Sequence, residues 1–402
     1  MCHPYHRGGV TRWMADAALA AAKNGDDVYF ITVEPVLPFY SGKGRETMLS
    51  LVKSHPANFK IISTGADHHY EFGTQGYRSK IYIDLIKKHV PEGTPIVLSD
   101  DAGVWDAAGY LADKYPMLGV IHGNDDIYFA NARQHAAHLS ACICVSDRIR
   151  KNLMERCPQV REEIIKVIPC GINMPQFAPE FRSDKYINLI FIGRIEDKVK
   201  RATDLVGICN QLHQHGLLFH LEVIGNGKES GEEMQQSFNK AGIGEHVTFR
   251  GWLARNEIQQ LLNESDILLL TSNSEGMPLV MMEALASGCG FVGTRVSGIE
   301  DYELHPLAKD CFGVYTIGDV TDAAEKIKHI ANEPVKIRQQ SARQLAESEF
   351  SMQVCLDRYN SVLKGLRPAA SHFKGAKISD FDLMQSKVLA MARYLKVKVV
   401  KG

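Results

Sequence analysis

Short β-branched, near-continuous apolar runs alternate with longer stretches of helical periodicity along most of this chain, and the pattern runs through twice. In the first pass, residues 28–33, 59–63, 95–99, 117–121, 141–145 and 164–168 read as strands. Helical spacing at 12–23, 79–88, 104–115 and 147–156 separates them. The second pass has strands at 187–192, 219–224, 247–250, 267–270 and 291–294, with helices near 204–213, 230–240, 255–262 and 279–287. Strands lacking polar alternation suit sheets covered on both faces, and the strand–helix–strand rhythm is that of parallel α/β domains. Two doubly wound, Rossmann-like halves are therefore expected, with ligands held outside the carboxyl ends of the strands.

A stretch rich in Pro and Gly, Pro169-Cys170-Gly171-Ile172-Asn173-Met174-Pro175, interrupts the rhythm and reads as a linker. The expected organisation is a first domain over 1–170, a linker over 171–185 and a second domain over 186–348. A helix over 349–366 is expected to cross back, and residues 367–402 form a tail.

Composition excludes several classes. The 402 residues are 45% apolar and 23% charged, ordinary values for a globular chain and not for a disordered or collagen-like one. A net charge of −1 gives no reason to expect a nucleic-acid binder. No apolar run reaches the roughly 18 residues a membrane span needs, and the start lacks a signal-peptide core. Nine cysteines at irregular spacings, with no CxxC pair, suggest reduced, mostly buried thiols and a cytoplasmic protein. The charge balance is uneven, however. Residues 366–402 hold eight Lys/Arg against Asp380 and Asp382, so the tail carries +6 and the body −7.

Two motifs carry chemistry. Ser274-Glu275-Gly276-Met277-Pro278-Leu279-Val280-Met281-Met282-Glu283-Ala284 follows the strand at 267–270 and opens a helix at Pro278, a residue suited to a first helical turn. Helix-terminal N–H groups there would favour an anion such as a phosphate, with Glu275 in the loop and Glu283 inside the helix. Gly193-Arg194-Ile195-Glu196-Asp197-Lys198-Val199-Lys200-Arg201 follows the strand at 187–192, where basic side chains could neutralise a diphosphate. Taken singly, each also fits a solvated surface loop.

Together and in this order, these residues resemble the donor-binding domain of retaining GT-B glycosyltransferases of family 4. Gly225-Asn226-Gly227, Phe249-Arg250-Gly251, Ser265-Asp266 and Ser297-Gly298-Ile299 support the resemblance, which extends more loosely over residues 1–366. It implies a GT-B fold and transfer of a sugar from a UDP- or GDP-linked donor to an acceptor hydroxyl. The acceptor would be a glycan or lipid-linked, in polysaccharide or glycolipid assembly. By the same resemblance, Arg194 and Lys200 would stabilise the departing diphosphate, with Lys198 as competitor for the lysine role. Glu275 would bind donor-sugar hydroxyls, and Glu283 the ribose. Backbone around Gly225, Gly276, Met277, Pro278 and Leu279 would hold the donor. In the first half, Gly8 and Gly9 resemble a diphosphate-contacting turn, and His122 a residue lining the anomeric centre. Arg12, Asp100, Asp101 and Asp125 are placed toward the acceptor. No metal and no cofactor are expected, since basic residues and helix termini take over the charge role.

Two competing readings are a sugar-nucleotide enzyme of other chemistry, such as an epimerase, and a catalytically weak partner subunit of a polysaccharide-assembly complex. The tail has a helical pattern over 379–396, with Ser379 as cap and Phe381, Met384, Val388, Met391, Ala392 and Leu395 on one face. Packing on the body is the first expectation for it. Peripheral contact with the anionic inner face of a membrane and binding of a partner protein compete with that. Relatives begin with a buried strand before the Pro and Gly-Gly loop, whereas this chain begins Met1-Cys2-His3-Pro4-Tyr5-His6-Arg7-Gly8-Gly9. Either the native start lies upstream, the preferred expectation, or the first domain lacks its central strand.

Overall fold

A computed structural model describes residues 9–32, 54–64, 73–99, 101–176 and 186–369. They form two compact α/β units. The first unit comprises residues up to Val145, then Ile149–Gly171 and the chain from Cys355 onward; the second comprises Ser146–Arg148 and Ile172–Val354.

In the first unit α1 (Gly9–Lys23) leads to β1 (Val28–Thr32), which pairs in parallel with β2 (Phe59–Ser63). Then follow α2 (Gln75–His89), β3 (Ile96–Leu98), α3 (Ala102–Leu111), β4 (Met117–Ile121), α4 (Asp126–His135), β5 (Ala141–Cys144), α5 (Asp147–Arg156) and β6 (Ile165–Val167). These strands form a second parallel sheet in the order β3-β4-β5-β6, separate from β1-β2. Every residue of β4 and β5 is buried, which explains their unbroken apolar sequence. The helix over 126–135 escaped the sequence pattern: its mixture of Asn, Arg, Gln and His leaves only Phe129, Asn131, Ala132 and His135 buried. Likewise α3 stops at Leu111, short of the expected 115.

The second unit is one six-stranded parallel sheet in the order β12-β11-β10-β7-β8-β9. Its strands are β7 (Ile187–Ile192), β8 (Phe219–Ile224), β9 (Val247–Gly251), β10 (Ile267–Leu270), β11 (Gly290–Thr294) and β12 (Phe312–Tyr315). The helices are α6 (Asp204–Gln214), α7 (Lys228–Lys240), α8 (Arg255–Glu264), α9 (Leu279–Ala286), α10 (Val320–Asn332) and α11 (Val335–Glu349). Finally α12 (Met352–Leu363) carries the chain back to the first unit at Cys355. The sequence reading omitted β12, a four-residue run containing a glycine, although all four residues are buried.

The helical faces follow from spacing. Helix α10 begins with Asp319, whose carboxylate accepts the Asp322 amide at 2.9 Å, and buries Ala323, Ala324, Ile327 and Ile330 along one stripe. They join Leu205, Ile208 and Leu212 of α6 in one apolar core with Leu189, Phe191, Leu221 and Leu269 of the sheet. Each buried Ile or Leu contributes about 1.5–3 kcal/mol, so a charge at Ile327 would break this layer. A polar tie crosses the sheet's lower edge. Asp266, just before β10, accepts the Asn188 amide at 2.8 Å with one oxygen and the Arg338 guanidinium of α11 at 2.5 Å with the other.

Candidate functional site

Strands β7 and β10 lie side by side and parallel, with Leu189 opposite Ile267 and Phe191 opposite Leu269. From β7 the chain winds outward through β8 and β9, and from β10 it winds the opposite way through β11 and β12. The winding reverses between β7 and β10, and a crevice outside the carboxyl ends of two such strands is where open α/β sheets bind ligands. Both motifs singled out in the sequence are the loops leaving these two strands.

The loop after β7 is folded by its own carboxylate. Glu196 accepts the amides of Val199 at 3.0 Å and Lys200 at 3.3 Å. The loop after β10 grips it: the Asn273 amide donates to the Val199 carbonyl at 2.7 Å and the Asn273 side chain to that of Lys198 at 3.1 Å. The Thr271 hydroxyl donates to the Lys200 carbonyl at 2.6 Å. Arg201 then turns the chain with φ 44°, a left-handed conformation for a non-glycine residue, while its guanidinium makes two bonds of 2.7 and 2.9 Å to Asp204.

This scaffold aims Lys200 across the two loops. Its Nζ lies 2.5 Å from Glu275 Oε1, the same oxygen that accepts the Ser272 hydroxyl at 2.6 Å. The two side chains are only 16% and 12% exposed, so this is a sheltered ion pair at the lip of the sheet. The competing lysine, Lys198, is exposed and offers its carbonyl instead. Arg194 is also exposed (67%), and its closest carboxylate is Glu196 at 3.7 Å.

Pro278 caps α9 and is not its first helical residue; its ψ of 110° is extended. The sequence argument for proline at the first turn thus applies one position early, and Leu279 opens the helix. Glu283 sits partly exposed in α9. Two glycines permit close backbone approach. A Cβ on Gly225 (φ 152°) would fall 1.7 Å from the Gly193 carbonyl oxygen. One on Gly298 (φ 75°) would fall 2.4 Å from the Gly276 carbonyl oxygen, which also accepts the Ser297 hydroxyl at 3.3 Å. The loop after β7 is thus pressed against the loop after β8, and the Glu275–Pro278 turn against Gly298.

Within the first unit, Gly9 is the first residue of α1, and Arg12 lies 3.8 Å from Asp16 on the same helix. His122 follows β4, buried, with its ring edge-on to Trp13 at 5.2 Å and to Tyr128 at 6.4 Å. Asp101 caps α3: one oxygen accepts the Gly103 amide and the other the Tyr82 hydroxyl, both at 2.8 Å. That buried carboxylate is fully engaged in the fold, whereas Asp125 precedes α4 exposed to solvent. Gly8, Asp100 and the expected helix over 379–396 lie outside the described residues.

Sequence reasoning did not single out Glu196, Thr271, Ser272 or Asn273. A carboxylate or hydroxyl in a loop carries no periodic signal, and only its position next to the basic run and Glu275 could have marked it. Among the described residues no three His, Cys, Asp or Glu side chains gather as a metal-binding group. No described helix is long and apolar enough to cross a membrane. The eight described cysteines are buried free thiols, and burial pushes Cys311 and Cys355 up to about 12.

Comparison with known proteins places this geometry. Residues 7–175 match the family model for Glycosyltransferase Family 4, and residues 187–333 match that for Glycosyl transferases group 1. The amylovoran biosynthesis glycosyltransferase AmsK of Erwinia amylovora is 25% identical over 225 residues, 50% of this chain and 54% of the relative. The lipopolysaccharide 1,6-galactosyltransferase of Salmonella typhimurium is 26% identical over 199 residues, 48% of this chain and 53% of the relative. The chain thus spans about half the length of the curated relatives it matches. Among solved structures, Anabaena Alr3699/HepE in complex with UDP and glucose superposes with a TM-score of 0.70 at 16% identity, covering 91% of this chain and 98% of that one. At that identity the likeness speaks for the GT-B fold. With both halves matched by family models and the fold shared, this chain belongs to the group 1, family 4 glycosyltransferases.

Proposed function

We propose that the chain transfers a glycosyl group from a nucleoside-diphosphate sugar to an acceptor hydroxyl, with retention of anomeric configuration, in polysaccharide or glycolipid assembly. The observation that carries the reading is the Lys200–Glu275 pair at the point where the sheet's winding reverses. A cation and a carboxylate sharing that crevice can take the two ends of such a donor, the diphosphate and the sugar hydroxyls.

In this reading Lys200 and Arg194 meet the negative charge that develops on the departing diphosphate, and the first-turn amides of α9 add the positive end of a helix dipole. Fixed donors aimed at developing charge are commonly a large catalytic contribution. The Ser272 hydroxyl and Lys200 hold the Glu275 carboxylate in place, leaving its second oxygen to accept a sugar hydroxyl. Glu283, about one turn into α9, serves the ribose. Charge neutralisation through these groups makes the proposed reaction metal-independent. His122, Gly9 and Asp125 after β4 are assigned to the first unit's share of donor and acceptor binding. The UDP and glucose held by the Anabaena relative make a UDP-sugar the first donor to try.

Thermal melting in the presence of UDP-, GDP- and ADP-linked sugars tests the assignment. A true donor at 100 times its Kd adds about 2.7 kcal/mol of stability. Stabilisation by one nucleotide class supports the reading, and an unchanged melting temperature with all three contradicts it.

A further inference from the structure

Strand β11 reads Gly290-Phe291-Val292-Gly293-Thr294, and all five residues are buried. Thr294 is the one polar side chain in that run, and none of its surface is exposed. Valine would fill the same place with the same branched shape and the same preference for a strand, so packing does not account for the hydroxyl. The neighbouring strand shows where it goes. The ladder between β10 and β11 ends with Leu270 opposite Gly293, so Thr271 and Ser272 leave the sheet beside Thr294, both as fully buried as it is. A buried carbonyl beyond the end of a ladder needs a new donor. The Thr294 hydroxyl supplies it, donating to the Ser272 carbonyl at 2.6 Å.

Each of the three buried hydroxyls thus has its own acceptor. Thr271 donates to the Lys200 carbonyl and fixes the backbone that carries the lysine. Ser272 donates to Glu275 Oε1 at 2.6 Å and fixes the carboxylate. Thr294 fixes Ser272 itself. Two hydrogen bonds in series therefore run from the end of β11, through Ser272, to Glu275.

We propose that Thr294 is a positioning residue for Glu275. By anchoring the Ser272 carbonyl it sets the direction of the Ser272 hydroxyl, and with it the oxygen that Glu275 turns toward the donor sugar. The inference rests on the reading of Glu275 as the sugar-binding carboxylate. It divides the crevice in two: the sugar side depends on Thr294, and the diphosphate side depends on Thr271 through Lys200.

The test uses the full chain with Thr294→Val, with Thr294→Ser, and with Thr294→Val added to Glu275→Gln. Thr294→Val should lower kcat/KM for the nucleotide sugar by about tenfold or more, since a small misplacement of a substrate-holding group is costly. Its Kd for the nucleoside diphosphate alone, UDP or GDP, should stay within about twofold of the parent's, because the Lys200 side of the crevice is untouched. Thr294→Ser keeps the donor and should return kcat/KM to within about threefold of the parent. Added to Glu275→Gln, Thr294→Val should cost less than about twofold more, because the group it acts through is already lost. A loss of the same size with and without the Glu275 carboxylate, or an equal loss of nucleoside-diphosphate affinity, would overturn the proposal. A parent that turns over no nucleotide sugar would contradict the assigned reaction instead. The crystal structure of Thr294→Val then decides the positioning role: a broken Ser272–Glu275 bond supports it, and a bond kept at 2.6 Å overturns it.

Discussion

Lys200 Nζ lies 2.5 Å from Glu275 Oε1 although 75 residues separate them, and the contact joins the loops leaving β7 and β10. Both loops start from neighbouring parallel strands, and both are held by the protein's own hydrogen bonds. Glu196 holds one loop from within, and Thr271 and Asn273 hold it from the other.

The proposed role of Lys200, with Lys198 as its competitor, makes the two lysines of the loop unequal in donor binding. Lys200→Ala should weaken binding of the donor's nucleoside diphosphate by about 100-fold in calorimetric titration, the size expected for losing a charge-assisted contact in a sheltered site. Lys198→Ala, at an exposed side chain, should bind within about threefold of the parent. Equal losses in the two variants would remove Lys200 from its assigned role.

Gly225→Ala should destabilise the second unit by several kcal/mol, because its Cβ would meet the Gly193 carbonyl oxygen at 1.7 Å in a backbone conformation that suits glycine. Gly216 has φ 70° but nothing within 4 Å of its Cβ position, so alanine there carries the backbone cost alone, about 1 kcal/mol. Urea denaturation of the two variants measures the difference, and similar midpoints would contradict it.

Much of this arrangement was legible in the sequence, for identifiable reasons. Strands such as residues 187–192 and 267–270 are near-continuous apolar runs, interrupted in the first only by Asn188, so their positions emerge from the sequence pattern. Arg194, Lys200, Glu275 and Glu283 announce themselves by order and spacing. What sequence could not show was which charges meet. The exposed Lys198 and the paired Lys200 differ by two positions, and the fold of Glu196 over the Val199 and Lys200 amides is what sets their side chains apart. Asp101 illustrates the opposite failure: placed toward the acceptor, it is a buried cap with both oxygens occupied by Gly103 and Tyr82. Helix α4 and strand β12 escaped because mixed polarity and a short glycine-containing run blur their periodicity.

Arg338 and Asp266 form an ion pair with side chains 4% and 8% exposed, tying α11 to the start of β10. Arg338→Met should cost about 3–5 kcal/mol, since it leaves Asp266 buried with its charge uncompensated. The double variant Arg338→Met with Asp266→Asn should recover part of that loss while the Asn188 amide keeps an acceptor. A double variant no more stable than the single one would show that the charge is not the cause.

His138 is buried, and burial first, then the neighbouring His135, lowers its pKa below the ordinary 6.5. The folded state therefore binds its proton less readily than the unfolded chain. Its neutral form contributes stability that is fully present above pH 6.5 and is lost as pH falls below that value. Between pH 7.5 and 5.5 the parent should lose more stability than His138→Gln, read from urea midpoints at the two pH values. A variant with the same pH dependence as the parent would exclude His138 as the source.

The central claim is that the Lys200–Glu275 crevice carries out sugar transfer. The most direct measurement is release of nucleoside diphosphate from UDP- and GDP-linked sugars, in the presence of a glycan acceptor, by the parent and by Glu275→Gln. The account predicts steady turnover of one donor class by the parent and a loss of about 100-fold or more in kcat/KM in Glu275→Gln, with an unchanged melting temperature. Turnover at the parental rate by a folded Glu275→Gln variant would contradict it.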